Sequence, residues 1–532
     1  MDLIIKDLKI PVELDNAEHY LKACSIELQI SIENISIVKL LSKELDHRNS
    51  KQFNYTLTLA VNVPNAFYNC KNFQEYIETE LPSRKNVTIK DRPIIIGFGP
   101  AGMFAALELI SYGLKPVIFE RGKKIEDRSL DVKQFILEGQ IEQDSNIQFG
   151  EGGAGSYSDG KLFSRRDKNT PHVKRVLDTF IKFGAPEEIA YISKPHLGTD
   201  VLCKIVIKIR NYILDHGADI YYSSKLTGLI ISGQTAKGVF INNDREVYST
   251  DIYLAIGHSA RDTFEMIFDQ DVSVEQKSIQ VGVRMEHPAR LINQIRYGNK
   301  YQDFPDIGAA VYSLNYTDRL KKRGVYTFCM CPGGEIINAS SENQMLVLNG
   351  MSNSNRSSDY SNAAIVVTCH TDDYNSDHPL AGIEFQKQIE HKTFKAGGEN
   401  WSVPAQNLVD FMSDRPSTKL NENSYKMGST AFDLKELFPG FVNELLLAAF
   451  NKWKQDEPLF ISSQAILFGS ETRTTSPVKI CRNSNFESIN MKNLYPIGEG
   501  SGYTSGIVSS AVDAVKAVNI RIRGFQGAGI RV

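Results

Sequence analysis

The sequence predicts an α/β protein with three parts: a three-layer domain with a parallel sheet, an inserted mixed α+β domain and a small N-terminal α+β domain. Three observations lead to this prediction. Apolar strands alternate with helical patterns from residue 93 to 257, as in βαβ units. The pattern then changes to mixed strands, loops and helices, and a strand, a glycine-rich turn and a helix return after residue 490. The expected domains are residues 1–90, residues 91–270 together with 481–532, and an insertion at 271–480.

The composition is that of a soluble globular protein. Of the 532 residues, 42% are apolar and 23% are charged, which excludes coiled coils, collagen-like repeats and long disordered tracts. Sixty basic and sixty-three acidic side chains give a net charge of −3, so nucleic-acid binding is not expected. The sequence has no signal-peptide pattern and no run of eighteen apolar residues. Seven scattered cysteines do not form a disulfide pattern, and together these features favour the cytoplasm.

The N-terminal domain is predicted from short β-like runs around one helical pattern. The strands are expected at residues 3–10 and 53–63, with the helix at 17–28 and a further loop and helix after Pro64. The domain ends at Arg92-Pro93, because proline disfavours helix in the residue before it and a new apolar strand begins at once.

A glycine motif between a strand and a helix is the strongest signal for function. The strand at 94–96 leads into Gly97-Phe98-Gly99-Pro100-Ala101-Gly102, and a helical run follows at 103–111. Gly97 permits a tight turn, Gly99 lets the backbone approach a pyrophosphate, and Gly102 allows close helix–strand packing. The helix N-terminus then presents free N–H groups and a partial positive charge to the phosphates. The motif predicts a Rossmann-like dinucleotide site.

An acidic residue at the end of the second strand supports this prediction. The strand at 115–119 ends in Glu120, eighteen residues beyond Gly102. A carboxylate at this position accepts hydrogen bonds from the hydroxyls of an adenosine ribose. It therefore favours a dinucleotide with a free 2′-hydroxyl and disfavours NADP at this site.

Later segments favour FAD over NAD. After a helix at 204–216, a strand at 218–222 and a hairpin that turns at residues 232–234, a strand at 251–257 ends in Gly257. The strand at 494–497 leads into Gly498-Glu499-Gly500. Glu499 is expected to bind a ribityl hydroxyl. The helix that begins near Gly506-Ile507 would direct its N–H groups and its dipole at the flavin O2.

These segments resemble the glutathione-reductase-type FAD fold and, more narrowly, the bacterial family of uncharacterised FAD-dependent dehydrogenases. The narrower resemblance runs over nearly the whole chain. It implies bound FAD and oxidoreductase activity, but no particular substrate. Ser505 departs from the pattern, since the family has glycine there, and this removes conformational freedom beside the flavin. The motifs that carry the resemblance lie at residues 149–155, 158–162, 195–200, 255–262, 281–288, 329–334, 349–352, 471–477 and 498–507.

Further cofactor contacts are expected beyond the first motif. The stretch 150–160 has six glycine or alanine residues among eleven, so it can pack closely on a cofactor or form a surface loop. Arg121 and Arg128 can reach phosphate or carboxylate groups or be solvated. Leu226 lies where related folds contact adenine through the backbone. The full set of expected FAD contacts is Gly97, Gly99, Pro100, Ala101, Gly102, Glu120, Arg121, Arg128, Gly150, Gly152, Gly153, Ser156, Leu226, Gly257, Gly498, Glu499, Gly506 and Ile507.

The sequence has only one complete dinucleotide motif. An NAD(P)H donor must therefore bind without a second Rossmann unit, or the electrons come from a protein donor. The predicted function is an FAD-dependent oxidoreductase that moves a hydride or two electrons between a donor such as NAD(P)H and a small organic substrate. The alternatives are a reductase of isoprenoid double bonds and a flavin-dependent sensor whose N-terminal domain binds a partner.

Cys329 and Cys331 are candidates for chemistry. They stand two residues apart in a β-like run at 325–331, so both side chains would face one side of the strand. Cys331 is expected either to contact substrate or flavin or, with Cys329, to be a small buried apolar residue beside a tight turn.

Four more residues complete the catalytic candidates. His258 and His287 are potential proton donors, and Arg284 can stabilise negative charge on flavin or substrate. Lys161 follows the glycine-rich loop and can approach flavin N5 or O4. For each histidine and for Arg284, a structural hydrogen bond is the alternative.

One cluster has the composition of a metal site. It contains His370, Asp372, Asp373, Asp377 and His378. An expected loop offers no helix or strand face to aim these ligands. A solvated loop is the favoured interpretation, and no metal site is predicted.

Overall fold

A four-stranded antiparallel sheet with one helix forms the N-terminal domain of the computed structural model, which describes residues 1–78, 84–162, 170–304 and 307–527. Its elements are β1 (Asp2–Pro11), α1 (Ala17–Leu28), β2 (Ser36–Asp46), β3 (Asn54–Asn62) and β4 (Gln74–Glu75), in the sheet order β2-β3-β1-β4. The two predicted strands and the helix at 17–28 are confirmed. Strand β2 was not predicted, because none of its residues is fully buried and its alternation is weak. The helix expected after Pro64 is absent from the described residues 64–78 and 84–93.

The N-terminal domain shares an apolar core with the inserted domain. The ring of Phe53 stacks on Tyr301, with centroids 4.1 Å apart, and Tyr301 Oη donates to Glu13 at 2.8 Å. On the other side, Lys43 of β2 donates its backbone N–H to Tyr191 at 2.9 Å. The domain therefore touches both remaining parts of the chain and is not a loosely attached module.

Five parallel strands form the main sheet, in the order β23-β11-β5-β6-β7. We refer to this part as the parallel-sheet domain. The predicted hairpin is confirmed and is extended by a third strand. Its elements are β5 (Ile94–Ile96), α2 (Pro100–Ile110), β6 (Val117–Phe119), α3 (Ile125–Glu138), α4 (Pro171–Lys182), α5 (Thr199–Asp215), β7 (Asp219–Tyr221), β8 (Leu226–Ser232), β9 (Thr235–Ile241), β10 (Arg245–Tyr248), β11 (Ile252–Leu254), α6 (Arg261–Asp269), β23 (Leu494–Pro496) and α11 (Ile507–Gly527).

Apart from the edge strand β7, the parallel sheet is buried on both faces, so its strands are continuous apolar runs. Ile95 and Ile118 pack with residues of α2, α4, α5 and α11 on one face. Ile94 and Leu254 pack with β8, β9 and α6 on the other. Helices, sheet and β-meander form three layers, as the sequence predicted.

A seven-stranded sheet dominates the inserted segment, which we refer to as the antiparallel-sheet domain. The strand order is β14-β15-β18-β13-β21-β19-β20, and only β19 and β20 are parallel. The pair β12–β22 marks where the chain leaves and re-enters the parallel-sheet domain. The elements are β12 (Val274–Gln276), β13 (Ile279–Pro288), α7 (Ala289–Tyr301), β14 (Asn315–Asp318), β15 (Arg323–Cys331), β16 (Glu335–Asn338), β17 (Leu348–Met351), β18 (Tyr360–Cys369), α8 (Ala381–Ala396), β19 (Val403–Asn407), α9 (Leu408–Met412), β20 (Ser429–Ala431), α10 (Gly440–Asp456), β21 (Ile466–Glu471) and β22 (Val478–Ile480).

Strand β13 separates an apolar face of this sheet from a polar one. Val283 and Met285 belong to the large apolar core, whereas Arg284 and Glu286 alternate with them and are also fully buried. Because side chains alternate along a strand, His287 lies on the apolar side. Within the described residues, no helix is long and apolar enough to cross a membrane.

Candidate functional site

Glycine-rich segments from four places in the chain meet beyond the carboxyl ends of β5, β11 and β23. A Cβ added to Gly498 would lie 2.5 Å from Ala101 Cβ, and one added to Gly500 would lie 2.6 Å from the carbonyl oxygen of Gly257. Parallel α/β sheets bind ligands at this edge. The fourth segment is the loop 150–157, and we refer to the whole assembly as the glycine cradle.

The first motif is packed as tightly as its spacing predicts. A Cβ on Gly102 would overlap the carbonyl oxygen of Gly97, and one on Gly97 would overlap that of Ala255. Helix α2 begins at Pro100, and Gly99 provides no side-chain cap. Its first N–H groups are therefore left for a ligand.

The loop 150–157 lies directly on this motif. Gly152 donates its N–H to the carbonyl of Phe98 at 2.9 Å. A Cβ on Gly153 would lie 3.1 Å from Gly99 Cα, and one on Gly155 would lie 3.1 Å from Ile507 Cγ1. The loop thus connects the start of α2 with the start of α11. Ser156 Oγ is buried and has no hydrogen-bond partner among the described residues.

Glu120 organises the cradle from the end of β6. Its carboxylate is 4% exposed and accepts backbone N–H groups from Phe98 at 2.7 Å, Gly122 at 2.9 Å and Gly150 at 3.0 Å. A carboxylate offers roughly four acceptor sites. At most one acceptor site remains for a ribose hydroxyl, so Glu120 stabilises the loop 150–157 as well as offering a contact to a ligand.

The two predicted arginines are already paired within the protein. Arg128 is fully buried and donates to backbone carbonyls of the loop, including Glu151 at 2.6 Å and Gly153 at 3.0 Å. Arg121 pairs with Asp144 and Asp262. Arg128 is therefore neither solvated nor directed at a phosphate here, and its cation fixes the loop instead.

A cleft of about 490 Å³ opens beside Arg121, next to the end of β6. It is lined by charged and amide side chains, among them Lys225 and Asn242. Leu226 is buried at the start of β8, adjacent in sequence to this lining.

Glu499 lies where the chain re-enters the parallel-sheet domain. Burial raises the pKa of Glu499 to about 7, against the N–H of Gly506 and the charge of Lys277, which lower it. Lys277 donates to Thr475 Oγ1 at 2.8 Å. Lys277 was not predicted as a site residue, because it stands next to the β12–β22 crossing and not in a motif.

The cradle has the properties that FAD binding requires. Ser156 Oγ is an orphaned buried hydroxyl. Gly257 and Gly506 have positive φ, and a Cβ on either would meet nothing within 4 Å, so there is open space on the ligand side. Together with the uncapped start of α2, these features fit a pyrophosphate and a ring system.

Three of the five catalytic candidates are close together in the structure. Arg284 pairs with Glu471 at 2.8 Å and donates to the carbonyl of Cys329 at 2.9 Å. Its guanidinium also lies 3.5 Å from Cys331 Sγ. Lys161 pairs with Asp159 at 2.8 Å. Its positive charge lowers the pKa of both cysteine thiols, although burial raises that pKa more, and we refer to Lys161, Arg284 and Cys331 as one cluster on this basis.

The two cysteines are not arranged as a regular strand would place them. The register of β15 shifts between Phe328 and Cys331, and Cys329 has φ +42°. The alternation that was expected to put both thiols on one side is therefore broken. Burial raises the pKa of Cys329 to about 12 and also raises that of Cys331, so both are thiols at neutral pH and not nucleophilic thiolates.

His258 lies beside a buried network of charges. Its Nδ1 is 2.8 Å from Ser259 Oγ. Burial, followed by the charges of Arg473 and Arg261, lowers the pKa of His258 to about 3. The ring is neutral at neutral pH. The two arginines pair with Glu390 at 2.7 Å each, which links the two large domains.

His287 lies apart from the other candidates. It is fully buried on the apolar side of β13, with Nε2 2.9 Å from the carbonyl of Phe460. Burial lowers the pKa of His287 to about 4. Its surroundings match the structural alternative considered for this residue.

Asp159, Arg356 and His196 belong to the cluster around Lys161 and were missed as candidates. Asp159 pairs with Lys161 at 2.8 Å and with Arg356 at 2.7 Å. The backbone of His196 forms an isolated antiparallel β-bridge with that of Lys161. Asp159 and His196 stand inside motifs at 158–162 and 195–200, so a signal existed for them. Arg356 stands in a loop that gave no signal.

The histidine–aspartate cluster at 370–378 is held by protein contacts. Asp373 accepts the N–H of His370 at 2.7 Å and pairs with Arg323 at 2.6 Å. Among the described residues, no group of three or more His, Cys, Asp or Glu side chains is arranged to hold a metal ion.

Comparison with known protein families defines the class of the antiparallel-sheet domain. Residues 278–474 match the family model described as "FAD-dependent protein, C-terminal domain-like". The match spans the seven-stranded sheet and ends beside Arg473. It supports FAD as the cofactor.

A relative from Clostridium beijerinckii, described as an uncharacterized protein, is 41% identical over 521 residues, which cover 95% of this chain and 96% of the relative. The chain belongs to the same family as that protein. Among solved structures, a geranylgeranyl bacteriochlorophyll reductase-like protein from Thermoplasma acidophilum is 11% identical over 84% of this chain and 80% of that one, with a TM-score of 0.36. CtdE in complex with FAD is 11% identical over 83% and 88%, with a TM-score of 0.32.

Proposed function

We propose that the protein is an FAD-dependent oxidoreductase that transfers a hydride or two electrons between a donor such as NAD(P)H and a small organic substrate. The observation that carries the proposal is the glycine cradle, where four segments far apart in sequence leave backbone N–H groups and open space at the edge of the parallel sheet. The match of residues 278–474 to an FAD-dependent protein family supports the same cofactor.

The residues of the cradle have distinct tasks in this proposal. The N–H groups at the start of α2 and Ser156 Oγ bind the pyrophosphate. The remaining acceptor site of Glu120 would take a ribose hydroxyl, and the residues that line the cleft beside Arg121 would hold the adenosine end. Glu499 accepts a ribityl hydroxyl, and Gly257 leaves room for the chain of the cofactor.

The start of α11 lies where the ring system is expected. Its N–H groups and positive dipole end, near Gly506 and Ile507, would stabilise negative charge on a neighbouring ring. When bound, FAD supplies hydride or two-electron transfer, which no side chain provides. Residues at the β12–β22 crossing lie beside this region, since a Cβ added to Gly502 would lie 2.7 Å from the carbonyl oxygen of Val478.

The experiment is an anaerobic visible spectrum of the FAD-loaded protein during additions of NADH and then NADPH, with dithionite added last. The proposal predicts that one nicotinamide bleaches the oxidised flavin bands. If only dithionite bleaches them, the nicotinamide donor is wrong and a protein donor replaces it in the proposal.

A further inference from the structure

A buried carboxylate holds two cations between the two large domains. Asp159 is 2% exposed. It binds Lys161 Nζ at 2.8 Å and the guanidinium of Arg356 through Nη2 at 2.7 Å and Nε at 3.2 Å, and it also accepts the hydroxyl of Ser352. Burial alone would raise the pKa of Asp159, but Lys161 and Arg356 outweigh it and keep the pKa below its ordinary value. The carboxylate is ionised, and its acceptor sites are occupied by Lys161, Arg356 and Ser352.

The accessible charge of this group is positive. The side chain of Lys161 is 21% exposed and that of Arg356 is 13% exposed, against 2% for Asp159. Two cations and one anion leave a net charge of +1. An approaching ligand therefore meets the cations and not the carboxylate.

Among the described residues, the buried ionisable groups next to this group do not cancel its charge. Burial, followed by the charge of Arg356, lowers the pKa of His196 to about 4, so its ring is neutral. The thiol of Cys331 is protonated, and Arg284 is balanced by Glu471. The carboxylate of Asp200 contacts the same loop, where it accepts the N–H and the hydroxyl of Ser354 at 2.7 Å each. It keeps its charge, but Asp200 is exposed, so solvent screens that charge.

Toward the described residues, both cations still have N–H donors that are not used. A lysine ammonium has three N–H donors, and Lys161 contacts Asp159 through one oxygen. Arg356 uses Nε and Nη2, and its Nη1 has no hydrogen-bond partner within the described part of the chain. The loop that carries Arg356 is constrained: the residue has φ +47°, and its carbonyl packs on Gly333 so closely that a Cβ there would overlap it.

The group is connected to the glycine cradle by a short, tied loop. Ser158 donates its hydroxyl to the carbonyl of Gly155 at 2.8 Å and accepts the N–H of Gly160 at 3.0 Å. Gly155 in turn lies against Ile507 at the start of α11. Lys161 therefore follows within six residues of the position where the ring system is expected.

From this arrangement we infer that Lys161 and Arg356, positioned by Asp159, form an anion-binding subsite for the carboxylate group of the substrate. The inference rests on the proposed function, which it deepens by naming the substrate class as carboxylic acids. A net charge of +1 matches one carboxylate, whereas a phosphate carries more negative charge than the subsite balances. The planar fork of Arg356 suits two carboxylate oxygens.

The test measures binding of small acids to the full-length, FAD-loaded protein by titration calorimetry, together with the shift of the flavin spectrum. The probes are benzoate, phenylacetate and 3-phenylpropionate, their primary amides, and inorganic phosphate. We expect at least one acid to bind at least tenfold more tightly than its amide. R356Q and K161Q should each weaken binding of that acid by about tenfold, as loss of a charge-assisted hydrogen bond predicts, and R356K should lie between R356Q and the native protein.

Matched variants control for the loss of charge alone. Arg319 and Lys133 are exposed residues outside the subsite, so R319Q and K133Q should leave acid binding unchanged. Four results would overturn the inference: amides that bind as well as acids, phosphate that binds more tightly than every acid, no binding of any acid, or equal effects of subsite and control variants.

Failure of the subsite and failure of the proposed function are distinguishable. A protein that holds FAD but shows one of those four results keeps the function and loses the subsite. A protein that cannot be loaded with FAD loses the proposed function, while calorimetry still reports whether acids bind at Lys161 and Arg356.

Discussion

The glycine cradle and the polar face of β13 are built in opposite ways, one from residues without side chains and the other from buried charged side chains. The cradle is built by leaving side chains out: Gly97, Gly102 and Gly153 let three backbone segments approach to contact distance. The polar face is built by burying charges, with Arg284 and Glu286 at 0% exposure. The close-packed glycines of the cradle tolerate no added atoms, whereas the buried charges of the polar face tolerate no lost partner.

The glycine cradle is suited to binding a cofactor, whereas the polar face of β13 stabilises the antiparallel-sheet domain. Backbone N–H groups and open space bind a ligand without committing any side chain. A buried charge that is already hydrogen-bonded within the protein has few donors left for a ligand. Arg284 donates to Glu471, to the side chain of Asn362 and to the carbonyl of Cys329. Arg284 is therefore less available for substrate than Lys161, which is partly exposed in the same cluster.

The largest effect is expected from G102A, which adds one methyl group to the cradle. The new Cβ would overlap the carbonyl oxygen of Gly97, so α2 must move away from the strand turn. We expect FAD content to fall more than tenfold, measured as flavin absorbance per chain. The control is G524A, which changes a helical glycine whose added Cβ would meet no described residue within 4 Å. This variant should keep full flavin content. Equal flavin content in the two variants would contradict the close-packing account.

On the polar face, R284M leaves Glu471 as an unpaired buried charge. Breaking a buried ion pair costs about 3–5 kcal/mol of unfolding free energy, measurable by denaturant titration. The double variant R284M/E471L removes both charges and should recover most of that loss. A double variant as unstable as R284M alone would show that the pair is not the source of the effect.

E286Q tests the polar face through pH. Burial raises the pKa of Glu286 to about 7, against the hydrogen bonds from Ser424 and the charge of Arg284, which lower it. Between about pH 4.5 and pH 7, Glu286 keeps its proton in the folded state but has released it in the unfolded state. The free energy of unfolding therefore falls as the pH rises through this window. The loss is on the order of 3 kcal/mol. E286Q should not show this loss. In paired denaturant titrations, E286Q should be more stable than the native protein at pH 8, with no such difference at pH 4.5. The same advantage at both values would contradict this assignment.

The smallest effect is expected from H258Q. With a pKa of about 3, the ring does not titrate between pH 5 and 9. The pH profile of flavin reduction should therefore keep its shape and midpoints in the variant, followed by stopped-flow absorbance. Disappearance of a limb of the profile would mean that His258 is the ionising group.

The close packing of the first glycine motif could be predicted because its signals are local. Three glycines at fixed spacing, a strand before them and Glu120 after them require only neighbouring residues to interpret. The parallel sheet followed from the alternation of apolar strands with helical patterns. Strand β2 escaped notice because a half-exposed strand lacks the alternation that marks a buried one.

The polar face was harder to predict because its partners are far apart in sequence. Arg284 and Glu471 are separated by 187 positions, and Arg356 lies in a loop with no motif. The bulge in β15 depends on the neighbouring strand β18 and not on the residues around Cys329. The pairings of Arg128 and His258 likewise depend on segments that only the folded chain brings together.

The most direct test of the account is the flavin content of the purified full-length protein before and after incubation with FAD, with the released flavin identified by mass. The account predicts FAD bound at one molecule per chain, with no other flavin or dinucleotide in its place. A protein that remains colourless after incubation with FAD, while folded by its denaturation profile, would contradict the assignment of the glycine cradle as the FAD site.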